Sequence, residues 1–143
     1  MSRLIITRGL PGSGKTTKAR AWVDENPGHR ARVNRDDLRA MAHNSVYLGR
    51  ETEDQICAVV NAAIAALLRH GVDVINDDTN RNPATVEVLR QIAADAGAEF
   101  EVWDLTDVPI EACIARDAAR PDRTVGREVI ETMWQRWFAP AAR

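Results

Sequence analysis

Gly9-Leu10-Pro11-Gly12-Ser13-Gly14-Lys15-Thr16 fits the pattern GxxxxGK[ST] and lies between a short apolar run and a helical one. The residues before it, Arg3 to Arg8, read as a buried strand rich in β-branched side chains. Lys15 to Val23 read as a helix with Ala19, Trp22 and Val23 turned inward. A strand that runs through a glycine-rich turn into a helix aims backbone N–H groups at an anion, where the helix dipole is positive. The stretch therefore reads as a phosphate-binding P-loop. Gly12, Ser13, Gly14, Lys15, Thr16 and Thr17 are the expected contacts to ATP or another nucleoside triphosphate. Lys15, expected in a solvated loop, would reach the β- and γ-phosphates, and the Thr16 hydroxyl would be a Mg²⁺ ligand.

The rest of the chain supports one domain around that loop. Its 143 residues suffice for a single core and not for two. With 45% hydrophobic and 28% charged residues, the composition is that of a globular protein. The first apolar run is too short for a signal peptide or a membrane span, so a cytoplasmic location is expected. Cys57 and Cys113 sit in helical apolar patterns and read as small core residues rather than a disulfide or metal pair. A net charge of −2 excludes a nucleic-acid coat of the basic-patch kind but leaves room for a local basic groove. Lys15 and Lys18 are the only lysines. The remaining basic side chains are arginines, whose planar fork suits bidentate contacts to phosphate.

A second strand is expected over Ala31 to Asn34, ending in Asn34-Arg35-Asp36-Asp37-Leu38-Arg39. Charge just past a strand's C-terminal end is where ligands bind in open α/β sheets. One aspartate is expected to cap the helix that carries Leu38 and Met41, leaving its neighbour for chemistry; spacing alone does not choose between Asp36 and Asp37. Ala42 to Arg50 lack periodicity and read as a surface segment able to meet substrate. A core helix follows from about Thr52 to His70, with Ile56, Val59, Val60, Ile64, Leu67 and Leu68 inward and Gly71 as its stop. Val72 to Asn76 read as a third strand, and Asp77-Asp78-Thr79-Asn80 occupy the place of a Walker B acid, able to hold Mg²⁺ through water or to pair with an arginine. Asn82-Pro83 open a helix running to Ala96, and Glu99 to Leu105 read as a fourth strand. Pro109 starts a short helix with Ile110, Cys113 and Ile114. Arg116, Arg120 and Arg123 then fall where a lid would lie, before a last helix with Val129, Ile130, Met133, Trp134 and Trp137, on which Arg136 reads as a bystander. The pattern predicts an α/β fold: a P-loop kinase-like parallel sheet of four to five strands with helices on both faces. It would form a single domain over residues 1–143, with an arginine lid around 116–125. Such parts suit phosphoryl transfer to a hydroxyl, with an aspartate taking the proton and arginine stabilising the equatorial oxygens.

Taken in order, these motifs resemble the kinase domain of the phage-type polynucleotide 5′-hydroxyl kinases. The P-loop, Asn34-Arg35-Asp36-Asp37 with Arg39, Asp78-Thr79-Asn80 with Asn82-Pro83, and Arg116 with Arg120 carry the likeness over nearly the whole chain. The resemblance implies transfer of the ATP γ-phosphate to the 5′-OH end of DNA or RNA, in nucleic-acid end repair. It implies that Asp36 is the general base and Arg39 binds the acceptor's phosphate. Asp78 would orient Arg39, Thr79 would join the substrate site, and Arg116 and Arg120 would touch the donor phosphates. Well-known members continue into a 3′-phosphatase domain, whereas this sequence has no DxDxT motif, so kinase activity alone is expected. Ala42 to Arg50 do not match the family pattern closely. Low net basicity also predicts a shallow salt dependence. Two other readings compete: a small-molecule kinase for a sugar, nucleoside or antibiotic, and a non-catalytic ATP-binding switch. Asp36 with Arg39 speaks against the switch, which needs no acceptor base.

Overall fold

A computed structural model describes residues 1–141. Four strands form one parallel sheet in the order β2-β3-β1-β4: Arg3–Arg8 (β1), Arg30–Arg32 (β2), Asp73–Asn76 (β3) and Glu99–Asp104 (β4). Side chains alternate across a strand, so β1 feeds two cores. Leu4 and Ile6 point to one face, where they pack with Val74 against helices Arg50–Arg69 (α3) and Pro83–Asp95 (α4). Ile5 points to the other, where it meets Ile75, Ala19 and Trp22 of helix Lys15–Asp24 (α1). The predicted α/β fold with helices on both faces is what forms, with four strands.

Helix α3 buries Ile56, Val60, Ile64 and Leu68, an i, i+4 stripe. Val59 lies off that stripe and is 47% exposed, so its expected inward position is corrected. Helix α4 begins as its sequence predicts: Pro83 is its first residue, and the Asn82 side chain accepts from the Ala84 N–H.

The remaining helices stand at the C-terminal edge of the sheet. Helix Arg35–His43 (α2) follows β2, and Ile110–Ala118 (α5) and Arg127–Met133 (α6) follow β4. The chain after α6 widens into a π-helical turn, Trp134–Phe138, closed by the Ala139 N–H on the Trp134 carbonyl at 2.7 Å. Leu10, Cys113, Ile114 and Ile130 form a third cluster that ties this C-terminal part to the P-loop, with Trp134 and Phe138 against it. Cys113 is buried and Cys57 half-buried, both unpaired, in keeping with packing roles. Among the described residues no helix is long and apolar enough to cross a membrane.

Candidate active site

Because all four strands run parallel, the turns after β1, β2 and β3 open on the same edge. The P-loop follows β1, the Asn34 to Arg39 segment follows β2 and Asp77 to Asn80 follow β3. Hydrogen bonds join the first turn to the third: Gly9 N–H to the Thr79 carbonyl at 3.2 Å, and Thr7 Oγ1 to the Asp78 carbonyl at 3.0 Å. Asn80, buried with φ 44°, donates to the Thr7 carbonyl and to Asn76 Oδ1. It fixes the loop that carries Asp78 and Thr79.

Inside the P-loop, Gly12 has φ 84°, and a Cβ there would fall on the Cys113 carbonyl oxygen. No side chain fits between the loop and α5. Gly14, at φ 100°, precedes α1 and lets the chain turn into it. Lys15 is not the solvated side chain that its sequence predicts. It is 7% exposed, and its Nζ donates to the Leu10 carbonyl at 2.7 Å, with Ser13 Oγ at 3.5 Å. Burial, and then the charge of Arg120, pull its pKa down to about 8. Thr16 is half-buried and Thr17 exposed on the first turn of α1.

Arg120 thus lies close enough to Lys15 to act on its charge, and Arg116 Nη1 stands 3.5 Å from the Gly12 carbonyl. Both late arginines face the P-loop. Their loop is held by Asp117, which is buried and accepts from the N–H groups of Val125 and Gly126.

On the β2 side, neither aspartate caps α2. The cap is Asn34, whose side chain accepts from the Asp37 N–H at 2.8 Å. That correction separates the two carboxylates. Asp37 is taken up on both oxygens: Arg32 Nη1 at 2.7 Å and Asn34 Nδ2 at 3.1 Å on one, Arg123 Nη1 at 2.7 Å on the other. Partial burial pushes its pKa up, but Arg123, Asn34 and Arg32 outweigh that and hold it down at about 2. Asp36 is 68% exposed and meets one donor, Arg39 Nη1 at 2.6 Å. Of the pair, Asp36 has the free oxygen.

Arg39 is braced by Glu53 of α3, which takes its Nε at 2.9 Å and its Nη2 at 2.5 Å. The implied pairing of Asp78 with Arg39 does not form. Asp78 instead accepts from the Arg35 backbone N–H at 3.1 Å and lies 3.4 Å from Arg35 Nε. Arg35 is the first residue of α2, beside the end of β3, whereas Arg39 lies one turn further along and meets α3. Burial raises the Asp78 pKa against the pull of Arg35 and Asn76. Asp77 is fastened to Arg32 Nε at 2.7 Å and Asn34 Nδ2 at 3.0 Å, linking the ends of β2 and β3. Thr79 Oγ1 accepts from Arg81 Nη1 at 3.2 Å. Glu53 and Asp117 escape a reading by spacing, since Glu53 is 14 residues from Arg39 and nothing local marks Asp117.

Among the described residues no three His, Cys, Asp or Glu side chains gather to hold a metal ion. The Thr16 hydroxyl, half-buried on the first turn of α1, fits an ion that arrives on nucleotide phosphates, since Mg²⁺ keeps most of its water and takes few protein ligands.

Comparison with known proteins bears on the fold and the family. The chain is 26% identical to a candidate bifunctional polynucleotide kinase/RNA ligase of Autographa californica nuclear polyhedrosis virus, over 95% of this chain and 21% of that one. It superposes on the solved Pnkp1/Rnl/Hen1 RNA repair complex with a TM-score of 0.80 at 28% identity, covering 94% of this chain and 44% of that one. The Mycobacterium tuberculosis APS kinase CysC, with AMPPNP and APS bound, matches at TM-score 0.67 and 21% identity, over 82% and 69%, and so shares the fold. The chain thus spans less than half the length of the first two. The fold is that of a nucleotide-binding P-loop kinase, and with residues 4–140 matched to its family model the chain belongs to AAA_33, described as an AAA domain.

Proposed function

We propose that this chain is a polynucleotide 5′-hydroxyl kinase domain that moves the γ-phosphoryl group of ATP to the 5′-OH end of DNA or RNA. The observation that carries the reading is the Asp36, Arg39 and Glu53 arrangement across the sheet edge from the P-loop. Asp36 keeps a free carboxylate oxygen for the proton of an incoming hydroxyl. Arg39, fixed by two bonds to Glu53, would hold a phosphate of the same acceptor. Resemblance to a polynucleotide kinase by name and to an RNA repair complex by structure supports the choice of a nucleic-acid end over a small molecule.

In the transfer, P-loop N–H groups and Lys15 would hold the donor phosphates, Lys15 leaving the Leu10 carbonyl to do so. Arg116 from α5 and Arg120 from the turn after it would close and stabilise charge on the transferring group. Mg²⁺, held through Thr16, would neutralise phosphate charge. Asp36 would orient the 5′-OH and accept its proton, while Arg39 fixes the acceptor by its 3′-phosphate. Asp78 and Thr79 complete the acceptor wall, Asp78 through Arg35.

The test is an acceptor series with γ-labelled ATP. A nucleoside 3′-monophosphate should be a good acceptor and the bare nucleoside a poor one, by roughly ten-fold or more in kcat/KM, as one charge-assisted contact is worth about 1.5 to 3 kcal/mol. Arg39→Ala should erase that preference. Indifference to the 3′-phosphate, or turnover of sugars or antibiotics instead, would overturn the reading.

A further inference from the structure

A cavity of about 570 Å³ opens between the start of α3, the β3–α4 loop and the π-helical turn. This is the size of a small-ligand site. Its walls include Arg35, Arg50, Arg81 and Arg136, with Asp54 as the one carboxylate and Trp137 as the one aromatic ring. Four guanidinium groups line the cavity with one carboxylate; Arg35 also holds Asp78 and Arg81 meets Thr79, but Arg50 and Arg136 take no part in the site described above.

Most of these arginines also lack anions of their own. Arg35 has Asp78 at 3.4 Å and Glu53 at 3.5 Å. Arg81 donates to the Thr79 hydroxyl, and Arg136 lies over the Trp137 ring, 4.8 Å from its centre. Arg50, Arg81 and Arg136 have no carboxylate partner among the described residues. Burial, followed by the charges of Arg35 and Arg136, pulls the Arg81 pKa down, which marks a cation short of counter-charge. Its neighbours hold it in place, because Arg8 donates to the backbone carbonyls of Asn80 and Arg81 at 2.9 and 3.1 Å.

The cavity is continuous with the acceptor side of the site. Glu53 touches both Arg39 and Arg35, and Arg35 is a wall of the cavity. The donor side has its own arginines in Arg116 and Arg120. Arg136, expected as a bystander, lines this cavity.

Resting on the proposed function, we infer that this cavity is a second acceptor-strand subsite, taking a further phosphate of the nucleic acid on Arg81 and Arg136 and a base against Trp137. A planar ring beside unpaired guanidinium groups recognises a nucleotide whatever its base, as in single-strand grooves. The π-helical turn sets both side chains on one wall, a backbone irregularity frequent at functional sites.

The experiment compares KM for a nucleoside 3′-phosphate with KM for 5′-OH oligonucleotides of two, three and six nucleotides, all with ATP. In the parent, KM should fall at least about five-fold from the mononucleotide to the trinucleotide and little beyond. The Arg81→Gln/Arg136→Gln double variant should lose that gain. Arg90→Gln, an arginine on the outer face of α4, should keep it. A parent without the gain, or a double variant that retains it, overturns the subsite while the kinase assignment stands. A parent that phosphorylates neither mononucleotide nor oligonucleotide overturns both.

Discussion

At the scale of single residues, the two adjacent aspartates show how environment assigns chemistry that sequence leaves open. A carboxylate whose oxygens are filled by three donors is a weak base, and at a pKa of about 2 Asp37 gains little from taking a proton. Asp36, with one donor and most of its surface in water, is the carboxylate that an incoming hydroxyl can reach. Asp36→Asn should therefore lower kcat by about 10² to 10⁴ while ATP affinity stays near the parent's. Asp37→Asn should cost far less. Equal losses in a steady-state comparison, or lost ATP binding in the Asp36 variant, would sink the assignment. Lys15 makes a second residue-scale prediction, through pH. With no nucleotide bound its pKa is about 8, and phosphate beside it favours the charged form. Nucleotide affinity should then be near its full value below pH 8 and fall by up to about ten-fold per pH unit above it, with proton uptake on binding. Calorimetry in buffers of different ionisation heat would detect that uptake; its absence at pH 8.5 would remove Lys15 from phosphate binding. The same group acts oppositely on the empty protein. Its folded pKa lies below the unfolded value of 10.5, so its contribution to stability rises between pH 8 and 10.5.

At the scale of elements, what was legible in the sequence is what neighbours along the chain decide. Strand β1, the P-loop and α1 follow from a strand period, a glycine pattern and a helix period within the first 24 residues. The start of α4 follows from Asn82-Pro83. What stayed hidden depends on partners brought together by packing: Glu53 with Arg39, Arg35 rather than Arg39 with Asp78, and Arg123 with Asp37 across 86 residues. Val59 shows the same limit, since only the angle at which α3 meets the sheet decides which apolar residues of the helix are covered. The α5–α6 segment adds a prediction. Its surface latch, Arg123 to Asp37, is exposed on both sides and contributes at most about 1 kcal/mol. Asp117 is the stronger hold, a buried carboxylate on two backbone N–H groups. Asp117→Asn should speed hydrogen exchange at residues 120–126 well before it affects β1 or β3. Uniform acceleration across the sheet would mean that Asp117 supports the whole fold rather than this segment.

For the whole molecule, the contrast is between a net charge of −2 and the place where its arginines gather. Arg35, Arg39, Arg81, Arg116, Arg120 and Arg136 all stand around the C-terminal edge of one sheet, while the balance of the surface is acidic. Such a distribution attracts a strand end to one edge and offers the length of a duplex no basic track. Sequence alone predicts a shallow salt dependence, on the order of one or two released counterions. The cavity beside α3 raises that figure for longer acceptors only. Each phosphate contact to a single strand contributes a slope of about −0.7 in log affinity against log salt, so a nucleoside 3′-phosphate should show a slope near −0.7 and a hexanucleotide, with one further phosphate on Arg81 and Arg136, one of about −1.4. Titrating both acceptors from low to moderate salt, with ATP saturating, gives the two slopes directly. Equal slopes would confine the acceptor site to Arg39. A hexanucleotide slope much steeper than about −1.4 would mean that the strand runs over a wider basic surface than the sheet edge provides, and tight duplex binding away from ends would lead to the same conclusion.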